Sequence, residues 1–457
     1  TLMKAFKQHE TWTSRTTFLL SAVGAAVGLG NIWKFPYIAG ANGGSAFVLV
    51  YILVIAFVAL PILIAEVALG RMGKQSPPRA LAIVARRFGT AGGWSIVGWL
   101  GLLAAFLVSS YYSVISGWTL AYIFKNGAGN FTAQNAAAIN TEFTALQASP
   151  WLLTFWHAVV MLITGSILAR GLKQGREKSM MVLRPALFGI LLLMVAYSAV
   201  EGDMRAGLIF LFAFDLSAVN GTVVLMAIGH AFFSIGVAMG LMMGFGAYLG
   251  EDISIGRSAL VIVVADTLVA LIAGIAIFPI VFVNGLDPTQ GPGLVFVSLP
   301  IAFGHMPGGL IFGTLFFVLL FFAALTSLVG VLEPILAWVE EITDLSRKSA
   351  VIIVCGAIFL LGMGTVFSFN LWAGWHPLGV IKRFSGANFF TVLDYLTANI
   401  MMPLGGLLLA VFAGWRLPRP ALAGELRMTR PGLFLVFLWS LRFVAPLSIA
   451  AIFVANL

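Results

Sequence analysis

This 457-residue chain is short of cysteine and short of charge. Its single cysteine, Cys355, lies in a hydrophobic run. That excludes a disulfide framework or a cysteine metal site and leaves a packed helix residue. Only 9% of residues are charged, against roughly 25% in soluble domains. With 60% hydrophobic residues, the composition excludes an ordinary soluble domain and indicates a polytopic membrane protein. The net charge of +9 does not point to nucleic acid, because the basic residues are scattered between apolar runs and form no stripe. No low-complexity tract or soluble domain is evident, so residues 1–457 read as one membrane domain. The N-terminal stretch TLMKAFKQHETWTSR lacks a cleavable signal pattern, and the first span is expected to be its own insertion signal.

Apolar runs near the 20 residues that cross a bilayer recur eleven times. They fall at about 16–38, 42–70, 92–124, 150–170, 179–200, 220–248, 257–284, 308–340, 349–368, 388–415 and 432–455. With the N-terminus inside, nearly all Lys and Arg, Arg184 among them, fall on the cytoplasmic side. Only Lys125, Arg205, Lys382 and Arg383 fall outside. That bias predicts an N-terminus in and, for an odd number of spans, a C-terminus out, in the inner (plasma) membrane. The outer segment 285–307 contains LVFVSLPIAF, too short to span and suited to a re-entrant or lid helix.

Two spans carry sequence that a helix in lipid should avoid. The first contains GAAVGLGN (24–31) and the sixth FFSIGVAMG (232–240). Glycine weakens a helix interior by about 0.5–1 kcal/mol relative to alanine, and lipid cannot solvate an unwound backbone. Breaks five spans apart match transporters built from inverted five-helix repeats, whose broken helices meet near the bilayer midplane. The freed N–H and C=O groups would there face a cavity and meet ligands.

The stretches AVGLGNIWKFPY (26–37), NGGSAFVLVY (42–51), SSYYSVISGWTLAY (109–122), FFSIGVAMG and FFAALTSLVGVLEP (321–334) occur in one order along nearly the whole chain. Together they resemble the neurotransmitter:sodium symporter family, in its bacterial eleven-helix branch. That family is itself a standard example of the inverted-repeat architecture. The resemblance implies an all-α fold with broken helices 1 and 6, repeat one at about 16–200, repeat two at about 220–415 and an extra helix at 432–455. It implies a sodium-coupled amino-acid symporter working by alternating access, with sodium at two sites and no chloride, and no enzyme. Its partners would be the amino acid, sodium ions and the lipid bilayer.

By the same resemblance, one sodium site takes the carbonyls of Gly24, Val27 and Ala323 with the hydroxyls of Thr326 and Ser327. An adjacent Thr-Ser pair can place two hydroxyls on neighbouring sides of a helix, although such hydroxyls commonly bond back to the i−4 carbonyl. The other site would use the Ala26 carbonyl, Asn31, Ser234 and Asp266. A carboxylate deep in a span is costly, which marks Asp266 as functional on its own account. Chloride-dependent relatives carry asparagine there and a serine one turn later, where this chain has Ala270; Tyr51 and His230 match other chloride-site positions, with His230 replacing glutamine. Asp266 would supply the fixed negative charge and could carry a proton outward.

The implied substrate site comprises Ala25, Ala26, Leu29, Gly30, Val108, Tyr112, Phe233, Ser234, Gly236, Met239, Ser327 and Val331. Its carboxylate would meet the N–H groups near Leu29 and Gly30, the Tyr112 hydroxyl and a sodium ion. Amine transporters of the family have an aspartate where this chain has Gly28, so an amino acid with a hydrophobic side chain is expected. Lys34 and Asp394 match the outer gate, with Phe233 as lid. Arginine is usual at 34, and lysine lacks its bidentate fork, so a looser gate is expected. Trp12, Tyr248 and Glu341 match the inner latch, in which His9 replaces the usual arginine and Lys7 or Arg15 would substitute. Glu333 reads as a buried hydrogen-bonding group. Two alternatives stay open: a sodium-dependent sensor or channel without accumulation, and a symporter for a small amino acid or a GABA- or taurine-like solute. His157, His230, Asp266 and Glu333 could serve acid–base chemistry, but no nucleophile lies at a recognisable spacing to them.

Overall fold

A computed structural model of the chain describes residues 15–171, 178–289, 291, 293–428 and 431–455. Apolar side chains force the backbone to satisfy itself in lipid, and the described residues form helices with no strand. Nine helices among them are long and apolar enough to cross: Ser45–Gly73, Gly92–Gly127, Pro150–Leu168, Met181–Glu201, Ile255–Val283, Gly309–Ile342, Arg347–Ser368, Phe389–Arg416 and Pro431–Ala451. Span one is a bent pair, Thr16–Ala26 and Gly30–Ala41, with a 43° angle between its halves. Span six is also in two pieces, Gly221–Ile235 and Leu241–Ala247, each too short to cross alone. Counted as one interrupted crossing, they complete the eleven that the sequence predicts.

Span six is thus interrupted, whereas span eight is one continuous helix, Gly309–Ile342. The outer segment folds as the short helix Leu294–His305, anchored where the Tyr122 hydroxyl donates to the Phe296 carbonyl at 2.9 Å. Cys355 is buried in span nine. His157 stacks on Phe359 at 4.8 Å and bonds to its carbonyl, as a packing residue does.

Spans one, three, six and eight surround the two breaks. Span eight packs along spans three and one, and the lower half of span six packs on span two. That last contact is backbone on backbone. A Cβ on Gly70 would lie 2.0 Å from the Met243 carbonyl oxygen, and one on Gly246 2.3 Å from that of Val67. Small residues allow this approach between membrane helices.

Candidate binding site between two helix breaks

The first helical piece of span one ends at Ala26, its last bond running from the Val27 N–H to the Val23 carbonyl at 2.7 Å. Two of the freed N–H groups find side chains: Gly28 donates to Asn31 Oδ1 and Leu29 to the Tyr112 hydroxyl, both at 2.9 Å. The break in span six is made differently. Gly236, Ala238 and Gly240 all have positive φ, at 72°, 65° and 71°. The Ala238 N–H donates to Glu66 Oε2 of span two at 3.0 Å.

Two oxygen-rich clusters adjoin the breaks. In the first, Ser234 Oγ lies 2.9 and 3.1 Å from the Asp266 carboxylate oxygens. Tyr51 reaches the same carboxylate at 3.4 Å. Asn31 Nδ2 is surrounded by Ser234 Oγ at 3.1 Å, the Asp266 carbonyl at 2.9 Å and Asp266 Oδ1 at 2.8 Å. Asn31 thus turns its Nδ2 donor toward this cluster while its Oδ1 accepts from Gly28, so the oxygens that converge here are those of Ser234 and Asp266, and Asn31 would have to turn its amide over to join them as a ligand. Asp266 and Asn31 are fully buried. His230 packs among Phe35, Phe47 and Tyr51, with ring centres 5.1–5.9 Å apart.

In the second cluster the two hydroxyls behave differently. Thr326 bonds back to its own helix at the Ala323 carbonyl, 3.0 Å away. Ser327 instead reaches across to span one, 2.9 Å from the Ala25 carbonyl and 3.3 Å from that of Val27. A serine that merely satisfied its own helix would not make those contacts.

Between the clusters lies a cavity lined by Ala25, Ala26, Gly30, Val108, Tyr112, Phe233, Ser234, Gly236, Met239, Ser327 and Val331. All were expected from the sequence. Leu29, also expected, takes part through its N–H on Tyr112 rather than as lining. Gly28, Ser109, Leu241 and Leu328 complete the wall. At Gly28 there is no room for a side chain, because a Cβ would lie 2.2 Å from Ser327 Oγ and 2.6 Å from the Tyr112 hydroxyl.

Above the cavity, Lys34 Nζ contacts both Asp394 oxygens, at 2.8 and 3.2 Å. It also sits 4.1 Å from the centre of the Phe233 ring. Without the bidentate fork of an arginine, the ammonium still reaches both carboxylate oxygens and gains a cation–π contact. Below it, Tyr248, Glu333 and Glu341 line a small second cavity with Ser76. Trp12, Lys7 and His9 lie outside the described residues. Glu341 takes hydrogen bonds from the Ser76 N–H at 2.6 Å and from the Ser76 hydroxyl, with Arg79 Nε at 3.8 Å. These partners come from the helix Pro77–Arg87 and its cap, which the sequence reading did not connect to the latch. Glu333 is ion-paired to Arg347 at 2.6 Å.

Glu66 is the main omission of the sequence reading. Its signal was present in PILIAEVALG, a carboxylate amid an apolar span. Nothing local indicated that its partner would be the break in span six.

A model of the sodium:neurotransmitter symporter family matches residues 9–134 and 125–457. The chain belongs to that family. As a sodium:neurotransmitter symporter it is a sodium-dependent transporter and a multi-pass membrane protein. It is 34% identical over 445 residues to the sodium-dependent transporter YhdH of Bacillus subtilis, covering 97% of this chain and 96% of that one. It is 32% identical over 459 residues to a sodium-dependent transporter of Haemophilus influenzae, covering 99% of each. The fold is similar to that of MhsT, whose crystal structure was solved in complex with L-phenylalanine, with a TM-score of 0.89 and 38% identity. The match covers 98% of this chain and all of that one. The symporter fold accounts for both interrupted crossings.

Proposed function

We propose that this symporter imports hydrophobic L-amino acids with sodium, without chloride, by alternating access. The observation that carries this reading is Gly28. Ser327 and Tyr112 fill the space a side chain would need there, so the protein supplies no carboxylate at that position and the substrate brings its own. That carboxylate would meet the Tyr112 hydroxyl and the N–H groups at Leu29 and Gly30. Val108, Phe233, Met239 and Val331 would receive an apolar side chain. The relative MhsT, crystallised with L-phenylalanine, supports this substrate class.

Sodium would be carried at two places. One comprises the Ala26 carbonyl, Asn31, Ser234 and Asp266, closed by the substrate carboxylate. The other comprises the carbonyls of Gly24, Val27 and Ala323 with Thr326 and Ser327. The Asp266 carboxylate beside the first ion supplies the negative charge that chloride would otherwise bring, and it would take up a proton on the return step. Broken helices one and six would form the site with helices three and eight of the two repeats, at about 16–200 and 220–415, and rocking between the bundle and the scaffold would expose it to alternate sides, with Lys34–Asp394 opening on one side and the Glu341 latch on the other. The lysine and arginine bias supports an inner-membrane protein with a cytoplasmic N-terminus.

The test is uptake of radiolabelled L-leucine by proteoliposomes under an inward sodium gradient, with and without chloride, against competing amino acids, GABA and taurine. Accumulation that needs sodium, ignores chloride and is blocked best by hydrophobic amino acids supports the proposal. Accumulation blocked best by GABA or taurine overturns the substrate class, and sodium-promoted binding without accumulation overturns transport. Uptake that is indifferent to internal and external pH overturns the proton return.

A further inference from the structure

Arg442 lies about midway along span eleven, Pro431–Ala451, where an ionisable side chain is costly and calls for a role. Its Nε donates to the Gly414 carbonyl of span ten at 2.5 Å. A Cβ on Gly414 would lie 3.1 Å from Arg442 Cγ, so the two spans cross closely here. The guanidinium sits over the Trp415 ring, 5.2 Å from its centre, and Trp415 Nε1 donates to the Arg442 carbonyl at 3.3 Å. These contacts hold Arg442 at the level of Arg416, where span ten ends. Arg419 opens the helix Arg419–Leu426 just beyond, near enough for its charge to act on Arg442.

Three arginines thus stand at one junction of spans ten and eleven, and among the described residues none of them is ion-paired to a carboxylate. Arginine stays protonated in any protein environment, so this charge cannot be relieved by losing a proton. Trp415 and Trp439 beside it are 52% and 57% exposed, with Phe443 between them at ring-centre distances of 5.5 and 4.5 Å. Exposed tryptophans next to cations mark the level of lipid headgroups. We infer that Arg442, with Arg416 and Arg419, binds the phosphate of an anionic phospholipid. Spans eight and ten run in the same direction, so this lipid belongs to the leaflet on the side of the Glu341 latch. The guanidinium fork matches a phosphate, and basic pockets between membrane helices suit acidic headgroups. Unpaired positive charge at the junction selects a lipid with net negative charge over a zwitterionic one. Bound there, the lipid bridges span ten, span eleven and the helix that connects them.

The experiment titrates the purified, delipidated full-length protein with palmitoyl-oleoyl phosphatidylglycerol or phosphatidylcholine and reads bound lipid by native mass spectrometry. The parent is expected to bind the phosphatidylglycerol about tenfold more tightly, or better. Arg416→Gln and Arg419→Gln, both at exposed positions, should each weaken that binding about fivefold. Arg442→Gln should weaken it further, because it loses the fork over Trp415 as well as the charge. Arg442→Lys keeps the charge without the fork and should fall between Arg442→Gln and the parent. Arg205→Gln, an exposed arginine of the helix Met204–Phe212, should leave binding unchanged, which separates the site from a general loss of positive charge. Equal binding of the two lipids, or parental phosphatidylglycerol binding in all three glutamine variants of the junction, overturns the inference. Displacement of phosphatidylglycerol by an equal concentration of inorganic phosphate overturns the lipid as ligand and makes the junction a site for soluble anions.

Discussion

The breaks in spans one and six interrupt the same kind of helix in different ways. In span one the freed N–H groups of Gly28 and Leu29 bond to Asn31 and Tyr112, residues that also face the oxygen clusters and the cavity. No residue from Gly24 to Asn31 has positive φ. In span six the chain passes through three positive-φ residues, one of them Ala238, and its support is Glu66 from another span. The hydrogen bonds at the first break are made with side chains that face the cavity and the oxygen clusters. The second break is a corner held against span two by Glu66 and by the backbone contacts at Gly70 and Gly246. The first break is held by groups that line the cavity, and the second by a neighbouring helix.

The largest effect should come from the ligand-facing side. Asp266→Ala removes the carboxylate on which Asn31, Ser234 and Tyr51 converge. Sodium-driven uptake should fall at least about a hundredfold, corresponding to roughly 3 kcal/mol, while the protein remains monodisperse in detergent. Uptake within about tenfold of the parent would mean that Asp266 orders the break without handling the ion.

Next comes the corner. Glu66→Ala leaves the Ala238 N–H without its acceptor in a fully buried site. An unsatisfied buried donor costs about 1–3 kcal/mol, which thermal unfolding in detergent would detect. Glu66→Gln keeps an acceptor oxygen and should recover most of that loss. Equal losses for the two variants would show that charge rather than hydrogen bonding holds the corner.

These contrasts also mark what was legible in the sequence. GAAVGLGN and FFSIGVAMG announced both breaks because their glycines cluster at matching places five spans apart, a pattern that close helix packing alone does not call for. Asp266 stood out for the same reason, as a carboxylate amid aliphatic residues, and Gly28 because the family pattern gives its absent side chain a meaning. Glu66 carried the same kind of signal as Asp266, but its acceptor role depends on a backbone N–H 172 residues away. Arg184, counted among the cytoplasmic cations, is buried with its side chain against Gly24 of span one, which a charge count could not show. The latch partners Ser76 and Arg79 were likewise hidden, since Lys7 and Arg15 were nearer in sequence to the missing arginine. Long-range pairings between helices carry no local pattern, so side chains that act across spans were read correctly only where the family motif reached them.

A smaller effect is expected where the two breaks touch. Lys34, on the outer half of span one, pairs with Asp394 and lies over Phe233 of span six. Lys34→Met loses a part-buried ion pair and a cation–π contact, together worth about 1 kcal/mol, or roughly fivefold in apparent substrate affinity. Lys34→Arg should match or exceed the parent. A methionine variant with parental affinity would show that Phe233 alone closes the cavity.

The smallest prediction separates the breaks most directly. Ala238 holds a left-handed conformation at φ 65°, which costs an L-residue about 1–2 kcal/mol. Ala238→Gly removes that strain but gives the unfolded chain more freedom, a counter-effect of about 0.4–1 kcal/mol. The net expectation is a stabilisation of a few tenths to about 1 kcal/mol, read as a raised unfolding temperature in detergent. The matched change in span one, Ala26→Gly, falls on the last helical residue before the break. With no left-handed strain to relieve, it should destabilise by about 0.5–1 kcal/mol. Opposite signs for the same substitution would establish that the span-six break stores backbone strain and the span-one break does not. Two shifts of the same sign would make the breaks equivalent in backbone strain, leaving Glu66 and the close contacts with span two as what sets the corner apart.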